Sequence, residues 1–228
     1  MGRSLTAKEI LTIRRKSITL EGEWGGCIGT MDRHGVVFIW GNSGNGKSSA
    51  VISLCKELTR FGKVLYVSLE EGFSLSFQNT LRRFDMYACG SKFQVLDHAT
   101  PEELVERLLK PRSPEFVVID SFQYLGLSYK AYIDFKSRLA NKMLIFVSHA
   151  DGKQPEGRAA KAVKYDAMQK IWVEGFVAFT NGRFIGPTGQ AVIWRQGAWE
   201  YWNKRIKDNN SNFYYDGNES EQDTGEEE

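Results

Sequence analysis

The chain has 228 residues, 42% of them hydrophobic, which suits one globular domain of ordinary core size. No apolar run reaches the roughly 18 residues of a membrane span. Cys27, Cys55 and Cys89 are odd in number and far apart, which excludes a zinc pattern and reads as reduced thiols in a cytoplasmic protein. The net charge of +2 hides an asymmetry, because residues 216–228 carry seven acids and no base. The rest of the chain holds 30 bases against 21 acids, a net +9. A basic body fits a polyanionic partner, and the acidic end reads as a disordered tail.

Taken in order, "GVVFIW" (35–40) predicts a buried strand. "KSSAVISLCKELTRFG" (47–62) predicts a helix with Val51, Leu54, Cys55, Leu58 and Phe61 on one face and Gly62 as its stop. "KVLYVSLEEG" (63–72) reads as a strand, "FSLSFQNTLRRFDM" (73–86) as a helix and "FQVLDHA" (93–99) as a strand. "TPEELVERLLK" (100–110) opens a helix with Thr100 as cap, Pro101 in the first turn and Glu103 completing a capping box. "EFVVIDS" (115–121), "YKAYIDFKSRLAN" (129–141) and "MLIFVSHA" (143–150) read as strand, helix and strand. The strands are continuous apolar runs, as parallel strands covered on both faces should be. After residue 150 comes a Gly- and Lys-containing connection, "DGKQPEGRAAKAVKYDAMQ". Short strands are then expected at "KIWVEG", "FVAFT", "RFIG", "QAVIW" and "AWEYWN", with Asn181-Gly182 as a hairpin turn. The expected fold is α/β: a mainly parallel sheet flanked by helices and extended by antiparallel C-terminal strands. Residues 25–203 form its one domain, 1–24 a leading segment and 204–228 the tail.

"GNSGNGKS" (41–48) fits the P-loop pattern between a strand and a helix. Gly41, Gly44 and Gly46 let the backbone N–H groups of this loop, with Asn42, Ser43 and Asn45, turn inward around a phosphate. The helix start at Lys47, Ser48 and Ser49 aims its positive end at the same anion. Lys47 supplies a mobile cation for the β- and γ-phosphates of ATP, and Ser48 a ligand for Mg²⁺. Asp120 ends an apolar strand where a carboxylate can hold the Mg²⁺ shell. Glu70 and Glu71 end another, and a glutamate there can orient and polarise the attacking water; Glu70 is the favoured one. Ser148 and His149 end the next strand, placed to sense the γ-phosphate, and His149 also reads as a plain strand-end residue. In a parallel sheet all these ends line one crevice.

These residues resemble the RecA/RadA/DnaB group of P-loop ATPases over roughly residues 25–203. "CIGTMDRHGVVFIWGNSGNGKSS" resembles the lead-in of RecA-like cores. "VLYVSLEEG" is similar to the strand that delivers their catalytic glutamate, and "VVIDSFQYL" to their Walker B strand, with Gln123 following. "NGRFIGPTGQAVIW" is similar to the DnaB-like helicase segment in which a finger arginine precedes Gly-Pro-Thr-Gly. That likeness makes Arg183 the finger candidate, although two residues, Phe184 and Ile185, separate it from the turn where one is expected. An exposed hairpin arginine is the other reading. About 40 residues precede the P-loop, so a motor core alone is expected. "SLTAKEILTI" (4–13) is then either a helix docking on a neighbouring subunit or one packed on its own domain.

In RecA-like folds the segments after the Walker B and sensor strands face DNA. Here they hold Tyr129 and Lys130, then Lys153, Arg158, Lys161 and Lys164, bases with aromatics that suit a single strand. The helical spacing of Arg158, Lys161 and Lys164 also fits a solvated basic face. The resemblance implies an oligomeric, Mg²⁺-dependent ATPase, a hexameric ring or filament. It would act on single-stranded DNA in replication or recombination, as translocase, annealing protein or loader. The alternative is a KaiC-like regulatory switch that binds protein partners.

Overall fold

The computed structural model describes residues 3–208. The acidic stretch 216–228, and the expected tail from residue 209 on, lie outside the described residues. Helix α1 (Ala7–Thr12) opens with a capping box between Thr6 and Glu9 and buries none of its residues. Ile10 and Leu11 stay 54% and 86% exposed, so α1 does not pack on its own domain. Strand β1 (Ser17–Thr19), helix α2 (Gly22–Cys27) and strand β2 (Thr30–Asp32) follow, the two strands pairing as a separate antiparallel ribbon.

The main sheet begins with β3 (Gly35–Gly41), which leads into α3 (Lys47–Leu58). Then come β4 (Val64–Ser68), α4 (Leu75–Arg83), a 3₁₀ segment at 86–92, β5 (Phe93–Leu96) and α5 (Pro101–Leu109). Next are β6 (Phe116–Asp120), a short α6 (Phe122–Leu125), α7 (Tyr129–Arg138) and β7 (Met143–Asp151). The described residues end with β8 (Gln154–Pro155), α8 (Arg158–Asp166), β9 (Gln169–Glu174), β10 (Val177–Thr180), β11 (Gln190–Val192) and α9 (Arg195–Asp208). The spatial order is β11-β10-β9-β3-β7-β6-β4-β5. From β9 to β5 every pairing is parallel; β10 and β11 extend the β9 edge antiparallel, and β8 pairs with the end of β7.

Period-two alternation along β3 divides the core into two layers. Val37 and Ile39 face Val51, Leu54, Cys55 and Leu58 of α3. Val36, Phe38 and Trp40 face the layer of α5, α7 and α8, with Leu104, Leu108, Phe135 and Val163. The parallel strands are buried on both faces, which accounts for their unbroken apolar runs. Their C-terminal ends share one edge, where Gly41 pairs with His149 and Asp120 with Val147 and Ser68. Among the described residues no helix is long and apolar enough to cross a membrane.

Several expectations need correction. "AWEYWN" is part of α9, not a strand. Ala198 is buried, the Tyr201 ring packs on Gly175, and Trp202 meets Phe179 edge-on. The spacing i, i+3, i+4 is helical despite the alternating look of the letters. "RFIG" forms no strand, because residues 181–189 cross from β10 to β11 as a loop. The connection after residue 150 folds into β8 and α8, whose Ala160 and Val163 are buried. The tight hairpin turn is Gly175-Phe176, with φ of +54° and +61°, and not Asn181-Gly182. Positive φ at both central residues is what a two-residue turn between twisted strands demands.

Candidate active site

The P-loop is shaped from three sides. Gly41 lies so close to β9 that a side chain would run into the Val173 carbonyl. Gly44 and Gly46 take φ of +76° and +86°, a region costly for residues with a Cβ. At Gly46 a Cβ would also meet the Phe176 ring at 2.8 Å. The β9–β10 turn clamps the loop: Gly175 N donates to Asn45 Oδ1 at 2.9 Å and Phe176 N to Asn45 O at 3.1 Å. Asn45 Nδ2 donates to Ser43 O at 3.1 Å, which closes the loop on itself. Lys47 Nζ lies 3.5 Å from Gly41 O, bent back across the loop.

A polar cleft of about 240 Å³ opens over this loop. Asn42, Ser43, Gly44, Gly46, Lys47, Ser48 and Ser49 line one side, and Glu70, Glu71, Asp120 and His149 the other. Asp120, at the end of β6, accepts a hydrogen bond from the Tyr66 hydroxyl. Burial pushes the Asp120 carboxyl above the usual carboxylate range, while Tyr66 and the charge of Lys47 pull it back down. The turn after β4 hangs on the same strand end, with Leu69 N donating to Asp120 O at 2.7 Å.

The two glutamates differ in their ties. Glu71 Oε2 accepts from Ser76 Oγ at 2.7 Å and Ser74 Oγ at 3.3 Å, at the start of α4. Glu70 Oε2 instead lies 3.0 Å from His149 Nε2, across the cleft. Ser148 does not line the cleft: it is fully buried, donates to His149 O at 2.9 Å and accepts from Gln123 Nε2 at 2.8 Å. Gln123 Nε2 also donates to Glu156 O at 3.1 Å, joining α6 to the chain after β8.

The residues present fit a nucleoside triphosphate with Mg²⁺. Gly44 and Gly46 give the loop the left-handed backbone of a phosphate cradle, Lys47 supplies a cation, and the Ser48 hydroxyl and Asp120 carboxylate share one cleft, a hard oxygen pair of the kind Mg²⁺ takes.

Arg183 stands at the other end of the sheet. It is exposed, and its N–H donates to Met168 O at 2.8 Å, beside the start of β9. The Gly186–Gly189 turn that follows is pinned to α2, with Gly186 N donating to Cys27 O and Thr188 N to Gly26 O, both at 3.0 Å. Gly186 fits only without a side chain, since a Cβ would strike the Gly26 carbonyl. Tyr129 and Lys130 are exposed at the start of α7, Lys153 sits in the β7–β8 turn, and Arg158 and Lys161 are exposed on α8. Lys164 is half-buried, with Nζ 4.3 Å from the centre of the Trp40 ring. Sequence reasoning missed Tyr66 and the Asn45–Gly175 clamp, neither of which carries a signal beyond its strand or loop.

No protein-family model matches the chain, and no curated protein matches it in sequence. Solved structures do. The KaiC-like protein PH0186 from the hyperthermophilic archaeon Pyrococcus horikoshii OT3 aligns with a TM-score of 0.55 and 17% identity, over 79% of this chain and 99% of that one. The flagellar accessory protein FlaH from Methanocaldococcus jannaschii aligns with a TM-score of 0.57 and 15% identity, over 77% of this chain and 90% of that one. The chain has a RecA-like α/β fold.

Proposed function

We propose that the cleft binds and hydrolyses ATP with Mg²⁺, and that the protein works as a homo-oligomer, a hexameric ring or filament, on single-stranded DNA. One observation carries the reading. The P-loop, Asp120, Glu70 and His149 come from four separate strand ends and meet in a single polar cleft. Lys47 and the loop N–H groups hold the phosphates. Ser48 and Asp120 would hold Mg²⁺, which when bound neutralises charge on the phosphate oxygens. Glu70 orients the attacking water and accepts its proton, because it faces His149 across the cleft while Glu71 is turned to Ser74 and Ser76 at the start of α4. His149, paired with Glu70, is the γ-phosphate sensor. Ser148 acts beneath it as a positioning residue, linked to Gln123.

Arg183 lies at the opposite end of the sheet from its own P-loop, so a finger role requires the cleft of another copy. The uncovered apolar side chains of α1 fit docking on a neighbouring subunit. A second reading, a regulatory ATPase that binds proteins, draws support from the KaiC-like neighbour and from Lys164, whose amine is occupied by Trp40 and Gln154. Turnover measured with and without single-stranded DNA separates the two. Glu70→Gln should bind ATP and hydrolyse it very slowly, with Glu71→Gln close to the wild type. The reverse order would move the base to Glu71.

A further inference from the structure

A second concavity, of about 510 Å³, opens on the α8 side of the sheet over β9 and β10. Trp40 and Trp172 lie in it with ring centres 5.6 Å apart, and Phe179 stands beside them. Lys164 reaches over Trp40, its amine also donating to Gln154 Oε1 at 2.9 Å, and Lys153 enters from the β7–β8 turn. Burial and then the charge of Lys170 hold the Lys164 amine below its usual pKa. The acid lining the pocket, Glu174, is already engaged: it accepts from Trp172 Nε1 and from the Tyr201 hydroxyl, each at 3.0 Å. From Lys164 a row of cations runs along α8 through Lys161 to Arg158, both exposed.

Aromatic rings lining a pocket beside cations match an anionic polymer that carries planar bases. A pocket of this volume takes a base and its sugar. We propose that this pocket captures a base of a single-stranded nucleic acid, stacked on Trp172 and Phe179, while Lys153 holds a flanking phosphate. The inference rests on the single-strand reading above and adds a base contact that the basic segments alone do not provide.

The pocket is wired to the P-loop. Trp40 directly precedes Gly41, and its indole N–H donates to Lys153 O at 3.1 Å. One residue past Gly41, Asn42 Nδ2 donates to Gly152 O at 3.3 Å. The β7–β8 turn therefore touches both the captured base and the nucleotide loop.

The test compares a fluorescent oligo-dT with an abasic oligonucleotide of equal length, using the full chain at fixed salt. Wild type should bind oligo-dT more tightly than the abasic strand. Trp172→Ala should weaken oligo-dT binding roughly 5- to 150-fold, the worth of one stacked base, and leave abasic binding unchanged; Trp172→Phe should restore most of the loss. Photocrosslinking of 5-iododeoxyuridine oligonucleotides to the wild-type protein, mapped by mass spectrometry, should mark Trp172 or Phe179, a result that does not depend on any variant folding. Equal affinity for both strands, or crosslinks confined to other segments, would overturn the pocket and leave the single-strand reading standing. Binding of neither strand would overturn both.

Discussion

The clamp on the P-loop makes a quantitative prediction. Asn45→Ala removes two side-chain hydrogen bonds, one to Ser43 O and one from Gly175 N, and leaves the part-buried Gly175 N–H without its acceptor. The backbone tie from Phe176 N to Asn45 O survives the substitution. At about 1 kcal/mol per bond, the loss to the loop's order is about 2 kcal/mol. If the loop must be re-formed around the phosphates, that full amount appears in nucleotide affinity as roughly a 30-fold rise in Kd. The assay is titration with a fluorescent ATP analogue, alongside a thermal melt that reports the stability cost separately. Phe176→Ala gives a second view, because it keeps the backbone tie but removes the ring that packs on Gly46. Unchanged nucleotide affinity in Asn45→Ala, with a normal melt, would show that the loop holds its shape without the β9–β10 turn and would refute the argument.

Arg183→Ala should keep nucleotide binding and lose most turnover, by about 10³-fold or more if the arginine acts as known fingers do. Mixing it with Lys47→Ala should recover part of the activity, since an intact P-loop can then meet an intact arginine. Constant activity per molecule on dilution, with no rescue on mixing, would count against assembly. Asp166 joins α7 to α8: it accepts from Lys136 Nζ at 2.6 Å and from the Tyr132 hydroxyl. Burial pushes its carboxyl up, but these two donors outweigh it and hold the pKa below the usual value of 3.8. With the folded pKa depressed, its contribution is complete above the ordinary carboxylate range and is lost as pH falls through the lower folded value. Asp166→Ala should therefore cost about 2 kcal/mol in neutral urea melts and little at acid pH, where equal losses at both would be the contrary result.

The legible parts of the sequence were those whose signals are local. The β3–loop–α3 unit, the Asp120 strand end and the Thr100 capping box each declare themselves within a few residues. The hairpin did not, because Phe176 at positive φ looks like any strand aromatic, and the turn is enforced by packing on the P-loop. Gly182, which resembles a turn glycine, is small because Gln169 crowds it. Helix α9 was hidden by its aromatics, which alternate in the sequence yet pack with helical spacing. The choice between Glu70 and Glu71 rests on side-chain partners, Ser76 at the start of α4 for Glu71 and the distant His149 at the end of β7 for Glu70. Lys164 read as a free cation, and only the fold shows its amine over Trp40.

The most direct measurement is steady-state phosphate release from ATP with Mg²⁺, with and without single-stranded DNA, using Lys47→Ala as the blank. The cleft as described predicts turnover that the strand raises and that Lys47→Ala abolishes. Release no greater than that of Lys47→Ala, under both conditions, would contradict it.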